Sequence, residues 1–579
     1  MQSDAGTTSP SDRDLTSIHE ARTLARAARQ AQTALAELSQ VQIDAIVAAM
    51  AEAVTPHADA LARMAVEETG YGVVADKVEK NLFASRRVYE FIAPMSTVGV
   101  VNRIESRKVV EIAEPFGVVA AVVPSTNPTS TAIYKMLIAL KARCAIVMSP
   151  HPSAARCIIR TAELMAEAAT HAGAPAGSIG WMRTVTLEGT QELMKHRDVA
   201  VILATGGMGL VRAAYSAGKP AYGVGPGNAP CYIERSADVA KAASDIVIGK
   251  TFDHGVLCSS PNSVVVDEAV AEAVRRAFVA EGSYFLNAAE MDALGAALVT
   301  PQRLPNPALV GKSAEHIARE VGINAPEGTR VLIAPLAGVG REFPLSIEKL
   351  CPVLSFYVVK DWHEGCERCK EILRYGGMGH TMSVHSKNED VILQFGLKKP
   401  AFRICVNTPT THGSIGLTTG LDPALTLGCG GWGGNITSDN ITPRHLLNIK
   451  RIAYEVRPAT RPNHAAEESS PVRPPVSRAE SPVGISAADL SGQIDQFLAS
   501  RGFEDSGTTS APIAPPPAVA PEPPSTPVEF VCEEDVRKAL KAQRTLVIGE
   551  RTIVTPSARE LGEAKRVFVE VDWRQTARE

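Results

Sequence analysis

Cys258 stands in Phe252-Asp253-His254-Gly255-Val256-Leu257-Cys258-Ser259-Ser260, a glycine-containing loop directly ahead of the β-branched run 263–266. A thiol on such a loop can be an exposed nucleophile. Thiolate is the reactive form, and nearby amides or a helix dipole can lower the pKa. The bland alternative is a small buried hydrophobe. Thr205-Gly206-Gly207-Met208-Gly209 follows the apolar run 199–204. A strand ending in glycines and opening a helix lets backbone amides approach a phosphate. The phrase is short of a full G-x-G-x-x-G, and a tight strand–helix turn has the same composition. Asn127, in Pro124-Ser125-Thr126-Asn127-Pro128, ends another apolar run, 117–123. An amide held there can donate to an oxyanion, or the phrase is simply an Asn-Pro turn.

These residues need elements to carry them. β-Branched runs at 117–123, 144–148 and 199–204 alternate with helical stretches at 129–142, 153–171 and from 210 onward. A second set follows: strands at 263–266, 330–334 and 353–359, with helices at 268–280 and 362–374. Short strands between helices imply βαβ units, a parallel sheet and an α/β fold, with ligands at the carboxyl ends of strands. Residues 16–68 are Ala- and Leu-rich and helical in pattern, and strand-like patterning returns near 451–456. The whole chain has 579 residues, 45% hydrophobic and 21% charged, with net charge −4. That length suits two or three domains plus tails and excludes wholesale disorder. The balanced charge gives no electrostatic case for nucleic acid or anionic lipid. The N-terminus has neither a signal-peptide nor a transit-helix pattern. No apolar run reaches the roughly 18–20 residues of a membrane span. Ten scattered cysteines fit reduced thiols in the cytoplasm. No internal repeat stands out.

In combination, Asn127, the 205–209 turn, Cys258 and Glu348 (in Ser346-Ile347-Glu348-Lys349-Leu350-Cys351-Pro352) follow the order and spacing of the aldehyde dehydrogenase superfamily. The phrases VVPSTNPTSTAIYK, SPHPSA, ILATGGMGLVRAAYS, YGVGPGNAP, TFDHGVLCSS, EKLCPVL, GGMGHT and GCGGWGGN resemble more narrowly its CoA-acylating branch, over about residues 20–457. The resemblance implies an aldehyde dehydrogenase-like α/β fold: a disordered lead-in (1–14), a Rossmann-type NAD/CoA-binding domain (15–230), a catalytic thiol domain (231–418) and a return segment to the cofactor or oligomerisation region (419–457). It implies Cys258 as the thiol that attacks an aldehyde carbonyl, with Asn127 and the Cys258 backbone amide as oxyanion hole. By the same resemblance Ser149 and His151 line the adenosine half of NAD, Thr205, Gly206 and Gly209 form the turn under the pyrophosphate, and Glu348 holds the nicotinamide ribose. It implies no metal, and it implies homo-oligomers.

Hydrolytic relatives carry a Glu in an E-L-G-G-K phrase that activates water. The matching phrase here, Gly223-Val224-Gly225-Pro226-Gly227-Asn228-Ala229-Pro230, has no carboxylate. Loss of a positioned base costs about 10²–10⁴-fold, so the thiol of coenzyme A is expected to take the acyl group. The resemblance points to short aliphatic aldehydes such as propanal or acetaldehyde. A hydrolytic dehydrogenase and a catalytically silent cargo scaffold are the rival readings. The sequence departs from the pattern at His254, Pro261 and Asn262, which are expected to shape the aldehyde pocket. Cys366-Glu367-Arg368-Cys369 is a C-x-x-C without a second ligand pair, which argues against zinc. His380, His385 and His412 have no assigned step.

Of the 39 prolines, 14 fall in residues 458–528, which read as linkers (458–484 and 503–528) around an island at 485–502. In the island, Ser486 and Asp489 suggest a capping box, and Ala487, Leu490, Ile494, Phe497 and Leu498 share one helical face. So short a helix is not stable alone in water; it orders on a partner groove, or on its own body. It resembles the encapsulation peptides of bacterial microcompartment enzymes, which implies shell or cargo proteins as partners and a cytoplasmic location inside a microcompartment. Residues 529–579 pattern as helix (533–542), strand (545–549), helix (557–563) and strand (567–571), a small C-terminal module similar to one appended to some microcompartment proteins.

Overall fold

Helices come first, as the Ala- and Leu-rich patterning predicts. Asp12–Ala36, Gln40–Val54, Ala58–Thr69 and Val74–Leu82 are α-helices, the first starting inside the expected lead-in. Ser39 opens the second with a reciprocal capping box to Gln42, and Gly70, at φ 68°, ends the third in the left-handed conformation that glycine adopts at least cost. The computed structural model describes residues 12–459 and most of 528–570. The expected helix at 485–502 and its flanking linkers fall outside the described residues, but for isolated positions. Two units separate by contact, Met1–Thr460 and Arg461–Glu579. Among the described residues no helix is long and apolar enough to cross a membrane.

The first unit holds two parallel sheets. One has five strands in the order Ile179–Trp181, Ile146–Pro150, Val118–Val123, Val199–Thr205, Ala221–Val224. Numbered along the chain this is 3-2-1-4-5, the dinucleotide-binding order, whose switch point lies between Val118–Val123 and Val199–Thr205. Val118–Val123 is buried at every position, and so is the helix after it, Pro128–Lys141. Proline at its first position spares an N–H that would otherwise lack a partner. The second strand begins two residues later than the apolar run CAIVM suggests. Arg143 takes φ 56° and Cys144 N–H bonds back to Ala139 O, so both still belong to the helix end.

The other sheet has seven strands in the order Ser283–Phe285, Val331–Pro335, Val353–Val359, Pro261–Asp267, Ala229–Ile233, Gly379–His385, Ala401–Val406. The expected domain border at 230/231 falls inside Ala229–Ile233, so the crossing between sheets is 225–228. A third, antiparallel sheet joins Gly99–Ile104, Val109–Pro115 and Leu447–Ala453. The hairpin 99–115 escaped the sequence reading because its strands are charged and half exposed, with no apolar run.

The second unit contains two matching halves. Each runs strand–helix–strand: Phe530–Val531, Glu533–Lys541, Leu546–Ile548, then Ile553–Val554, Pro556–Ala564, Phe568–Glu570. Corresponding strands pair in parallel, Phe530 with Ile553 and Leu546 with Phe568. The four expected elements are present. The repeat is structural, and too few side chains match for the sequence to reveal it. Val531, Val536, Ala539, Leu546, Ile548, Ala558 and Val567 form its own small core.

Candidate active site

The carboxyl ends of the five-stranded sheet face the amino ends of the seven-stranded sheet across one cavity of about 460 Å³. Asn127 follows Val118–Val123, Thr205 ends Val199–Thr205, and Ser149 lies in Ile146–Pro150. Cys258 and Glu348 instead precede the strands Pro261–Asp267 and Val353–Val359. The expectation that chemistry sits at carboxyl ends therefore holds for one sheet and is corrected for the other. Asn127, Ser149, His151, Thr205, Gly206, Cys258 and Glu348 all line the cavity. Gly209 does not; it lies inside the helix Met208–Tyr215.

The nucleotide half is built for an anionic, hydroxyl-rich ligand. Thr205 Oγ1 is buried without a hydrogen-bond partner. Gly207 caps the helix Met208–Tyr215, and a Cβ there would meet nothing within 4 Å, so open space lies over the turn. Ser149 Oγ pairs with Thr190 Oγ1 at 2.8 Å, and His151 stands exposed with Nδ1 2.7 Å from Ser153 Oγ. A helix N-terminus and an orphaned hydroxyl fit a dinucleotide pyrophosphate.

The chemical half centres on Cys258. Burial, then the neighbouring Glu348, push its thiol up to about 12, so the resting group is a thiol. Burial also pushes the Glu348 carboxyl up to about 8. Its Oε1 accepts from Gly227 N–H at 2.8 Å. Gly227 is required by close approach, because a Cβ there would stand 2.1 Å from the Cys258 carbonyl oxygen. The same Cβ would lie 3.2 Å from the His380 ring, which places His380 beside the Cys258 segment. His380 is 1% exposed, its Nε2 has no partner, and burial lowers its pKa to about 3, so it stays neutral. Asn127 sits at the N-cap of Pro128–Lys141 yet makes no side-chain cap bond. Its amide is oriented by other partners: Nδ2 donates one hydrogen to Thr126 Oγ1 at 3.1 Å and Oδ1 accepts from Lys80 Nζ at 2.6 Å.

Other expectations are revised. Asn262 does not shape a substrate pocket; its Oδ1 accepts from Lys250 Nζ at 3.2 Å and from Lys349 N–H at 3.1 Å. Pro261 is buried in its strand, and His254 lies outside the cavity lining. His412 stacks edge-on against Phe252 at 4.6 Å, in the 252–260 loop, while His385 is buried at the far end of Gly379–His385. Cys366 and Cys369 are buried on one core-facing side of a helix, and Lys399 donates to Cys366 Sγ. Lys80 and Lys135 were missed by the sequence reading, since a lone lysine in a helical pattern reads as a solvated face.

Residues 14–420 match the Aldehyde dehydrogenase family. The chain is 42% identical over 444 residues to the bifunctional aldehyde-alcohol dehydrogenase AdhE of Escherichia coli, covering 76% of this chain and 50% of that protein. It thus spans about half the length of the bifunctional relatives it matches. An acetylating aldehyde dehydrogenase from Geobacillus thermoglucosidasius superposes with TM-score 0.77 at 50% identity, covering 78% of this chain and all of that one. A propionaldehyde dehydrogenase from the Clostridium phytofermentans fucose utilisation bacterial microcompartment superposes with TM-score 0.68 at 29% identity, over 75% of this chain and 97% of that one.

Proposed function

The chain belongs to the aldehyde dehydrogenase family, and from that premise we propose that it performs CoA-acylating oxidation of a short aliphatic aldehyde such as propanal or acetaldehyde: aldehyde, NAD⁺ and CoA to acyl-CoA and NADH. The observation that carries this reading is the convergence of Cys258, Asn127, Thr205 and Glu348 on one cavity, beside a 223–230 phrase with no carboxylate. Cys258 Sγ attacks the carbonyl carbon as its thiol proton passes to water in the cavity. The oxyanion is received by Asn127 Nδ2 and the Cys258 backbone N–H. NAD, when bound, would supply the acceptor for the hydride of the adduct carbon. Ser149, His151, Thr205 and Gly206 would hold it, with Gly209 in the helix behind the turn and Glu348 toward the nicotinamide ribose. The resulting Cys258 thioester passes its acyl group to the CoA thiol, whose proton leaves to solvent as the thioester exchanges.

Hydrolysis is the second reading, favoured by Glu348, a cavity-lining carboxyl with a pKa of about 8, near the optimum for a general base. NADH production with and without CoA separates the two. Acylation predicts that turnover stops at one thioester per site without CoA; undiminished steady-state NADH without CoA refutes it.

The microcompartment reading rests on the 485–502 pattern and on the origin of the Clostridium phytofermentans neighbour. A reporter fused to 485–502 is expected to localise to shells; a diffuse reporter in shell-forming cells refutes targeting. Homo-oligomerisation is supported by apolar side chains exposed on edge strands, Phe402 and Val406 on Ala401–Val406 and Ile449 and Ile452 on Leu447–Ala453. Light scattering tests it, and a monomeric mass refutes it.

A further inference from the structure

A cluster of buried charges stands directly behind Asn127, and no step above uses it. Lys77 and Lys80 lie about one turn apart on the helix Val74–Leu82, each 2% exposed. Both donate to Asp253 Oδ2, Lys77 at 3.0 Å. Asp253 is wholly buried; its Oδ1 accepts from Val73 N–H at 2.8 Å, and its own N–H donates to Asp76 Oδ2 at 2.7 Å. The same two lysines reach the segment that carries Asn127: Lys77 donates to the Thr126 carbonyl at 3.1 Å, and Lys80 to Asn127 Oδ1 at 2.6 Å. Gly72 is shaped to this cluster, since a Cβ there would stand 1.9 Å from Asp253 Oδ1.

Charges this deep are costly unless paired and hydrogen-bonded, so the arrangement calls for a function. An ammonium can only donate. Placed on one end of the Asn127 amide, it admits the oxygen there and excludes the nitrogen, which removes the two-fold ambiguity of an asparagine side chain. It also draws charge from the amide, strengthening Nδ2 as a donor. Of the two Nδ2 hydrogens, Thr126 Oγ1 takes one; the other is available to the cavity that Asn127 and Cys258 share. At the opposite end, Asp253 and His254 hold φ of 51° and 52° five and four residues ahead of Cys258. That conformation is strained for residues with a Cβ and persists only when its surroundings enforce it.

We propose that Lys80 is a positioning residue of this active site: anchored by Asp253, it fixes the Asn127 amide with Nδ2 toward the reacting oxygen and ties oxyanion donor and nucleophile loop to one helix. This rests on the reading of Asn127 as oxyanion donor. The test is a double-mutant cycle on the full chain, with propanal as substrate and NAD and CoA saturating: wild type, Asn127→Ala, Lys80→Met and the double variant. Lys80→Met leaves Asp253 paired with Lys77, and unfolding temperature checks the fold. Lys80→Gln replaces it in the cycle if Lys80→Met does not fold. Asn127→Ala is expected to lower kcat by about 10²–10³-fold, and Lys80→Met by roughly 10–100-fold with little change in KM. In the Asn127→Ala background, Lys80→Met should cost less than about two-fold more. Lys80→Arg, which keeps the donor, should recover most of the loss. Multiplicative losses, or wild-type kcat in Lys80→Met beside an impaired Asn127→Ala, overturn the role of Lys80 and leave that of Asn127 intact. An unimpaired Asn127→Ala overturns both.

Discussion

Cys258 is singled out by the combined motifs rather than by its loop alone, and its protonation state is not legible in the sequence. A pKa near 12 comes from burial and from Glu348, 90 positions away in sequence, so the thiol must lose its proton during attack. Cys258→Ala is expected to abolish NADH formation while leaving the unfolding temperature within a degree or two of wild type, measured by absorbance and calorimetry. His380 makes a second residue-scale prediction. Its folded pKa, about 3, lies below the ordinary 6.5, so the unfolded chain binds the extra proton between those values. Stability through this group is whole above pH 6.5 and falls as pH drops toward 3, by about 1.4 kcal/mol per pH unit. Denaturant titrations at pH 7 and pH 5 should therefore show a steeper acid loss in wild type than in His380→Gln. Equal losses would mean that the imidazole is not held neutral.

Elements place these groups through backbone contacts that side-chain patterning does not reveal. Lys135, on the buried helix Pro128–Lys141, donates to Val122 O at 2.7 Å and Leu203 O at 2.9 Å. It thus pins the two strands that flank the switch point, where Asn127 and Thr205 emerge. Lys135→Met would leave both carbonyls without that donor at a cost of about 1–3 kcal/mol. The expected outcome is a lower unfolding midpoint together with weaker NAD binding in a fluorescence titration; a change in stability with unaltered NAD affinity would separate the pin from the cofactor cleft. Strands and helices around the switch point were readable because apolar runs and helical periods are local signals. The hairpin 99–115 was not, because its strands are charged and half exposed, and neither was the crossing 225–228, whose Gly227 and Asn228 are held by Glu348 and Ser346 more than 100 residues away.

At the scale of the whole molecule, every residue assigned to the reaction lies in Met1–Thr460. A chain ending at residue 460 is expected to keep kcat and KM within about two-fold of the full chain, because the described residues that line the cavity all precede that point; a large loss on truncation would give the tail a part in turnover. The division into an α/β body, a proline-rich stretch and a small terminal module follows from composition and periodicity, which need no folding to be read. Order and spacing of motifs likewise picked out, through the family resemblance, Cys258, Asn127 and the 205–209 turn, which line one cavity at Cys258, Asn127, Thr205, Gly206 and Gly207. Only the tertiary structure brought Glu348 and His380 to Cys258, set Asn262 to holding its neighbours, and buried Lys80 behind Asn127. The physical reason is that burial and charge pairing are properties of three-dimensional neighbours: a lysine reads as solvent-facing until the fold sets an aspartate 173 positions away against it.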